Sequence, residues 1–239
     1  MEYKMDSRKL KGICGVSAAA GICSGILRTV LYRTGFDAKG LLVSWHPLTI
    51  AIGVLLVLMT AVTAAAAFRM KKEICAAPLG KLAAAGSLVM AAAVILTTLG
   101  AGLPSVLKVL GLAAGICLAA AALFQWKNRQ PIFVCHGIFC LFLAFYLINR
   151  YQIWSQDPQL MDYLMALLCG AAMLVYGYQM AAGNLSQCSR RTWMTMAALG
   201  AFCGLGGAFG GEARILCLGG SLWMLAGLWS GTTEGVEKT

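Results

Sequence analysis

The fold is decided by the stretch GVLLVLMTAVTAAAAF, which runs from Gly53 to Phe68 without a charged residue. A strand of a membrane β-barrel alternates apolar and polar residues over about ten positions, because one of its faces meets lipid and the other meets the lumen. This stretch is apolar on every face, which is the pattern of a helix surrounded by lipid. We therefore predict an all-α protein built from transmembrane helices.

The composition of the whole chain indicates the same fold class. Of its 239 residues, 60% are hydrophobic and 12% are charged, and the mean hydropathy of +0.78 lies well outside the range of a water-soluble domain. A bilayer core about 30 Å thick requires roughly 20 apolar residues per helix, so a chain of this length holds about eight spans. We predict a polytopic transmembrane helix bundle in which residues 1–239 form a single integral membrane domain.

Eight apolar runs are long enough to be interpreted as spans. The most ambiguous joint is LGAGLPSVLKVLG (residues 99–111), because its glycines and its proline either turn the chain between two spans or kink one longer span. Counts of seven and eight spans are both compatible with it. The predicted spans are Ile13–Tyr32, Leu48–Phe68, Leu82–Leu103, Pro104–Trp126, Pro131–Asn149, Leu160–Ala182, Thr192–Gly210 and Ala213–Trp229.

Lysine and arginine are concentrated in four segments, YKMDSRKLK (residues 3–11), FRMKKE (68–73), WKNRQ (126–130) and CSRR (188–191). All four fall at one end of the bundle if eight helices alternate in direction. The positive-inside rule places that end, together with both termini, in the cytoplasm. The net charge of +10 then reflects topology and attraction to anionic lipid. A nucleic-acid partner is not predicted, because no basic run is interleaved with aromatic residues on a soluble module.

The connections repeat in order: a long loop, a basic loop, a tight turn and a basic loop. The two long loops are YRTGFDAKGLLVSWHP (residues 32–47) and NRYQIWSQDPQLMDY (149–163). This order indicates two parallel four-helix halves, 12–127 and 130–230, related by an axis along the membrane normal. Close packing inside the bundle, rather than a dimer interface, is predicted by three pairs of glycines spaced four residues apart: Gly21 and Gly25, Gly111 and Gly115, and Gly200 and Gly204.

The ten cysteines do not indicate a disulfide framework, because most of them lie inside apolar spans, where a thiol packs as a small hydrophobic group. The stretch CHGIFC places His136 and Cys140 one helical turn apart, close enough to ligate one soft metal ion. The sequence offers no second ligand cluster, so a buried, hydrogen-bonded histidine is the preferred interpretation. We predict no cofactor and no metal, with His136 and Cys140 as the metal candidates.

A few polar residues near the span ends suggest a binding patch. Arg28 and Tyr32 lie four residues apart, as do Tyr146 and Arg150, so each arginine shares a helix face with a phenol near the predicted outer boundary. If the halves face each other, these residues and the long loops surround one patch in which guanidinium groups meet the carboxylate or phosphate of an anionic small solute. The candidate ligand-binding residues are Arg28, Tyr32, Arg33, Asp37, Trp45, His46, Tyr146, Arg150, Trp154, Asp157 and Asp162.

A structural role is the alternative for the same residues. In this interpretation the charges pair with one another, arginine extends toward the headgroups and tryptophan occupies the interfacial belt. Asp157 precedes Pro158 and would cap the start of a helix. His46 precedes Pro47 and would do the same, while Asp162 would lie in a first helical turn, where the helix dipole favours a carboxylate.

Motifs for catalysis are lacking: the sequence has no Gly-x-Ser-x-Gly, no phosphate-binding loop followed by lysine and no paired carboxylates in the middle of a span. We therefore predict that the chain is not an enzyme. Two functions stay open. One is a small permease or solute-binding membrane component that uses the outward patch, and the other is a non-transporting sensor, scaffold or assembly partner for another membrane protein.

One resemblance adds to this reading of the residues. The stretch RYQIWSQDPQLMDYLMALL (residues 150–168), together with LYRTGFDAKGLL (31–42) and HPL (46–48), resembles a group of bacterial multi-pass membrane proteins that carry no assigned activity. The resemblance covers part of the chain and transfers no catalytic or binding residue. It implies that the chain resides in the lipid bilayer of a bacterial cytoplasmic membrane.

Overall fold

The structure, a computed structural model, forms eight helices and no strand over the residues that it describes, which confirms the all-α prediction. It describes residues 2–35, 46–69, 78–100, 102–155, 160–183, 188–210 and 213–231, without the side chains of 2–9 and 160–162. The helices are α1 (Glu2–Thr34), α2 (Pro47–Phe68), α3 (Lys81–Gly100), α4 (Ser105–Trp126), α5 (Phe133–Trp154), α6 (Leu160–Gly183), α7 (Arg190–Ala208) and α8 (Arg214–Ser230).

In the described part of the chain, six of the helices are long and apolar enough to cross a membrane: α1 from Leu10, α2, α3, α4, α5, and α6 from Tyr163. These six fit a multi-pass membrane protein. The two others differ because α8 has 17 residues, and because α7 begins with two arginines and contains several glycines and threonines. The ambiguous joint is a turn between two helices, since α3 ends at Gly100 and α4 begins at Ser105.

Two helices extend well beyond the spans that the sequence predicts, whereas the other bounds differ by three residues or fewer. α1 begins at Glu2 rather than Ile13, because hydropathy marks only the part of a helix that meets lipid, and the backbone continues helical beyond it. α5 ends at Trp154 rather than Asn149, so the placement of Trp154 in the long loop was wrong. Trp154 is buried on the same face as Arg150, and packing against α6 stabilises the extra turn.

Helices α3 to α8 form a closed circuit in which each helix packs against the next and α8 packs back against α3. α1 lies against α7 and α8, and α2 packs on α1 and α7. Within the described ranges, the pair α1–α2 makes no contact with the pair α3–α4, so the first four helices do not form a bundle of their own. The contacts between helices therefore do not confirm the predicted division into halves 12–127 and 130–230.

The predicted glycine pairs lie where helices meet. A Cβ built at Gly21 would lie 2.8 Å from the Cβ of Leu205 on α7, and one built at Gly204 would lie 2.7 Å from the backbone oxygen of Cys217 on α8. Gly115 faces α3 in the same way. Such contacts bring backbones close together, which stabilises helix packing where lipid supplies no hydrophobic drive between helices. The prediction of close packing inside the bundle is confirmed.

Aromatic side chains fill the interior of the circuit. Trp223 of α8 packs edge-on against Phe139 of α5, with ring centroids 5.3 Å apart, and against Tyr176 of α6 at 4.6 Å. The ring of Tyr176 in turn lies 6.1 Å from that of Trp193 on α7. All four side chains are buried. These four residues, which we call the aromatic cluster, join four helices in one core.

Candidate functional site

The candidate site lies at one end of the bundle, where α1, α5 and α7 finish and α2, α6 and α8 begin, which we call the arginine end. α5 and α6 run in opposite directions, because Leu147 of α5 faces Gly170 of α6 while Trp154 faces Tyr163 near the start of α6. The opposite end, where α3 begins and α4 finishes, is the basic end.

Arg28 is buried near the end of α1, with 5% of its surface exposed. Its Nη2 donates a hydrogen bond to the Tyr32 hydroxyl at 3.1 Å, and its guanidinium carbon lies 5.5 Å from the centroid of the Tyr32 ring. That ring lies against Gly210, just beyond the end of α7. The predicted pairing of this arginine with a phenol on one helix face is confirmed.

Arg150 is buried near the end of α5, with 8% of its surface exposed, and its guanidinium carbon lies 5.5 Å from the centroid of the Tyr146 ring. One turn further along, Trp154 is buried and stacks on Tyr163, with ring centroids 4.6 Å apart and planes 8° apart. The predicted pair of Tyr146 and Arg150 is confirmed. The face of the Tyr146 ring stabilises this buried cation through a cation–π contact.

α7 and α6 lie between the two arginines. α1 and α5 make no contact with each other over the described ranges. A Cβ built at Gly206, near the end of α7, would lie 3.1 Å from Ser24 Oγ on α1 and 4.0 Å from Met165 Sδ on α6. Arg28 is one turn beyond Ser24 toward the arginine end, and Asp162 is nearly one turn beyond Met165 in the same direction. Arg28 thus lies on the helix that packs against α7, and Arg150 lies on the helix that packs against α6.

The other candidate residues divide into those that the structure describes and those that it does not. His46 caps α2, as predicted: its Nδ1 accepts a hydrogen bond from the backbone N–H of Leu48 at 3.3 Å, and Pro47 takes the first helical position. Arg33 is exposed in the last turn of α1. Asp162 lies in the first turn of α6, with its side chain outside the described residues, and Asp37, Trp45 and Asp157 lie outside them entirely.

Helix polarity gives the arginine end a mixed electrostatic character. α1, α5 and α7 direct their C-terminal carbonyl groups toward it, and the partial negative charge of these carbonyls stabilises a nearby guanidinium. α6 directs its N-terminal N–H groups toward the same end, with partial positive charge. Guanidinium groups beside a helix N-terminus supply the donors that bind a carboxylate or a phosphate. The arginine end therefore combines buried hydrogen-bond donors with partial charges of both signs.

His136 lies away from the arginines, beside the aromatic cluster. It is fully buried, and its ring stacks on Trp223 with centroids 6.4 Å apart and planes 10° apart. Neither ring nitrogen has a hydrogen-bond partner among the described residues. The histidine is therefore buried as predicted, but the predicted hydrogen bond is absent among those residues. Its imidazole packs as an aromatic ring instead. The Cys140 thiol donates to the backbone oxygen of Leu174 at 3.6 Å, and the described residues include no group of three or more possible metal ligands.

A further polar region was missed by the sequence analysis. Gln125 is fully buried near the end of α4. Its Oε1 accepts a hydrogen bond from Ser87 Oγ at 2.7 Å, and its Nε2 donates to the backbone oxygen of Pro78 at 3.4 Å. The signal was a lone glutamine in the apolar run ALFQW, because an amide inside a membrane bundle requires partners.

No protein-family model, curated protein or solved structure matches this chain.

Proposed function

We propose that this chain is a small permease or solute-binding component of a bacterial cytoplasmic membrane, and that it recognises an anionic solute at the arginine end. Six membrane-length helices support the location in a membrane. α7 and α8 have 19 and 17 residues, so at 1.5 Å per residue they are about 28 and 25 Å long and reach across most of a bilayer core of about 30 Å. In this proposal all eight helices cross the membrane.

The orientation that we propose places the basic end and both termini in the cytoplasm. Lys81, Lys127, Arg129, Arg190 and Arg191 lie at helix ends or in connections on that side of the bundle. Positively charged residues beside membrane helices are retained on the cytoplasmic side. The arginine end then faces outward, where a solute arrives.

The burial of two arginines at this end carries the proposal. An arginine near the end of a membrane helix can extend to the headgroups at little cost, so an arginine that is instead buried inside the bundle indicates a role there. Arg28 and Arg150 are both buried, and each packs on a tyrosine four residues away. An exposed arginine such as Arg33 is sufficient to anchor a helix at the headgroups. The burial of Arg28 and Arg150 therefore supports a binding role for these two residues.

A small carboxylate or phosphate suits these groups. The planar guanidinium presents N–H groups in a fork that matches two oxygen atoms of such an anion. The hydroxyl of Tyr32 already accepts a hydrogen bond from Arg28, and it holds the fork in place on the face of α1. Trp154, one helical turn beyond Arg150, stacks on Tyr163 and supplies an apolar surface at the same end. Such a mixture of apolar walls and a few fixed polar groups is typical of small-molecule sites.

A non-transporting sensor, scaffold or assembly partner is the second candidate, and the aromatic cluster favours it. Its rings are buried between the arginines and the basic end. Transport would require these rings to separate in each cycle, whereas binding and signalling leave them packed. The two candidates share the anion site and differ in whether the solute crosses the bundle.

Binding is tested with the purified full-length protein in lipid nanodiscs. Small mono- and dicarboxylates and inorganic phosphate are added one at a time, and the Tm is measured. We expect at least one anion to raise the Tm of the unmodified protein and of a Lys108→Ala control, whose side chain is exposed at the same end. Arg28→Lys and Arg150→Lys are expected to lose the rise, because lysine keeps the charge but not the planar fork. If both variants insert normally and keep the full rise, the anion site is elsewhere.

Transport is tested separately in proteoliposomes. The anion that raises the Tm is supplied outside with an isotopic label, and its uptake is followed in vesicles with the unmodified protein and with Arg150→Lys. Uptake that depends on Arg150 supports the permease. Binding without uptake, under gradients of protons and of sodium, supports the non-transporting candidate.

A further inference from the structure

The corner where α3 begins and α4 ends is fixed by a buried glutamine. Gln125 accepts a hydrogen bond at its backbone oxygen from the N–H of Gly80 at 3.1 Å, in addition to its side-chain bonds with Ser87 and Pro78. Two stretches of chain, Pro78–Lys81 and Trp126–Gln130, are thereby held together at the basic end. We call these two stretches the α3–α4 corner.

The backbone of the second stretch is also fixed. Asn128 has a φ of 52°, in the left-handed region that asparagine tolerates better than most residues. This conformation turns the chain so that the N–H of Arg129 donates to the oxygen of Phe124 at 2.9 Å and closes the end of α4. Lys127 and Arg129, on either side of Asn128, are therefore presented from an ordered turn.

Three exposed cations gather at this corner. Lys81 Nζ lies 5.9 Å from the centroid of the Trp126 ring, and Lys127 and Arg129 follow directly after α4. None of these three cations has an ion pair within the described residues. The sequence contains no aspartate or glutamate between Pro78 and Ser155, so the helices that form the corner bring no acid to it. In the part of the chain that the structure describes, the corner therefore carries positive charge that an external anion can neutralise.

The corner also lies where a membrane boundary is expected. α3 and α4 are both of membrane length. Trp126 is 54% exposed, and Leu82 and Leu123, which lie next toward the middle of the bundle, are exposed as well. A second pair of lysine and tryptophan, Lys11 with Trp229 at 5.5 Å, occurs at the same end of the bundle on α1 and α8. Tryptophan rings that lie between lysines and apolar surface are typical of the headgroup level.

We propose that the α3–α4 corner binds the headgroup of an anionic phospholipid. The phosphate lies among Lys81, Lys127 and Arg129, the indole of Trp126 lies at the level of the glycerol, and the acyl chains lie along the exposed leucines of α3 and α4. The cations alone would also suit free phosphate. The exposed apolar surface directly beneath the cations favours a lipid. One lipid molecule contacts both the cations and the apolar surface, whereas free phosphate contacts only the cations. Since this corner lies at the end opposite to the arginines, the inference is independent of the proposed solute site.

The test compares two double variants of equal net charge. Lys127→Gln with Arg129→Gln removes two cations from the corner, while Arg69→Gln with Lys108→Gln removes two exposed cations from elsewhere. Full-length proteins in neutral detergent are titrated with phosphatidylglycerol and with phosphatidylcholine, and bound lipids are counted by native mass spectrometry. Each juxtamembrane cation strengthens binding of anionic lipid about fivefold, so the corner variant is expected to bind phosphatidylglycerol about 25-fold more weakly than the control variant.

Three results would overturn the proposal: equal loss of phosphatidylglycerol in the two double variants, equal binding of the two lipids by the unmodified protein, or full displacement of the bound lipid by millimolar inorganic phosphate. A second variant, Trp126→Leu, keeps all three cations and also tests the site. It is expected to weaken binding of phosphatidylglycerol, and unchanged binding would exclude the proposed position of the indole. Because the side chains of Trp126, Lys127 and Arg129 are all exposed, these variants should fold, and circular dichroism checks that they do.

Discussion

α2 and α7 are two helices of one bundle that are built in opposite ways. α2 is the most apolar of the six membrane-length helices, yet only Met59 and Thr63 in it are buried. α7 is not among those six, yet every residue from Gly200 to Gly207 is buried. High hydropathy therefore does not show that a helix is central to the bundle, and low hydropathy does not show that a helix is peripheral.

The packing partners explain this difference. α7 contacts α1, α2, α6 and α8, whereas α2 contacts only α1 and α7 over the described ranges. A helix enclosed by other helices needs small side chains so that backbones can approach, while a helix that faces lipid needs apolar side chains that fit no particular neighbour. Added volume should therefore be harmful in α7 and tolerated in α2.

The largest effect is expected for Gly204→Leu in α7. A Cβ at this position would lie 2.7 Å from the backbone oxygen of Cys217 and 2.9 Å from Cys169 Sγ. Extra methylene groups in a packed core cost about 1 to 3 kcal/mol even where neighbours can move, and a backbone oxygen cannot move without its helix. We expect this variant to yield no folded bundle, as measured by the monodisperse fraction recovered in detergent.

Gly53→Leu in α2 is the matched control, because no atom lies within 4 Å of a Cβ built at Gly53. Its recovery and its Tm should equal those of the unmodified protein. If the two leucine variants were recovered equally well, α7 would not be the enclosed helix, and the contrast between α2 and α7 would be wrong.

The next largest effect is expected for Trp223→Ala, which tests whether the core around α7 depends on the aromatic cluster. Removing this buried indole deletes its contacts with Phe139 and Tyr176 and leaves a cavity. Truncation of a buried tryptophan costs about 3 to 5 kcal/mol of unfolding free energy. Trp229→Ala on the same helix is the control, since Trp229 is 44% exposed. Equilibrium unfolding in mixed micelles measures both, and equal losses would contradict the cluster as the core.

The helices themselves could be predicted from the sequence, because apolar runs of membrane length have few alternative structures. Each of the eight predicted apolar runs contains a helix in the described part of the chain, and α3 and α4 are separate helices. That all eight cross the membrane stays a prediction. Which helices are neighbours could not be predicted. That order depends on contacts such as Gly204 with Cys217 and Gly21 with Leu205, which depend on shape and not on hydropathy.

The candidate site was predicted in part. The pairs of Arg28 with Tyr32 and of Tyr146 with Arg150 followed from helical spacing, which fixes side-chain neighbours within one helix. Their separation by α6 and α7 did not, because spacing carries no information on contacts between helices. The stacking of His136 on Trp223 was missed for the same reason, since the two rings come from helices far apart in the sequence.

Removal of a polar side chain should also lower the unfolding free energy more at a buried position than at an exposed one. Gln125→Leu keeps a similar volume but removes the amide that bonds to Ser87 and Pro78. A buried group left without its partner costs about 1 to 3 kcal/mol, so we expect a loss of about 2 kcal/mol of unfolding free energy. Gln130→Leu, at an exposed position, should change it little. A loss in the Gln130 variant as large as that in the Gln125 variant would show that the buried bonds do not stabilise the corner.

The smallest effect is expected within α2 itself, from two threonines that face different surroundings. The hydroxyl of Thr63 is buried and donates to the backbone oxygen of Met59 at 2.8 Å, while that of Thr60 is exposed and donates to Leu56 at 2.9 Å. Valine has nearly the same shape as threonine. Both hydroxyls bond to their own helix. The difference in unfolding free energy between Thr63→Val and Thr60→Val therefore measures the effect of burial on such a bond.

We expect Thr63→Val to lower the unfolding free energy by about 0.5 kcal/mol and Thr60→Val to leave it unchanged, since a net hydrogen bond is worth about 0.5 to 1.5 kcal/mol and both carbonyls keep their helical partners. Repeated unfolding measurements in one batch of micelles resolve a difference of this size. The opposite order, with the larger loss at Thr60, would mean that the exposed face of α2 contacts protein rather than lipid. α2 would then be an interface helix, and this result would favour the assembly-partner function over the permease function.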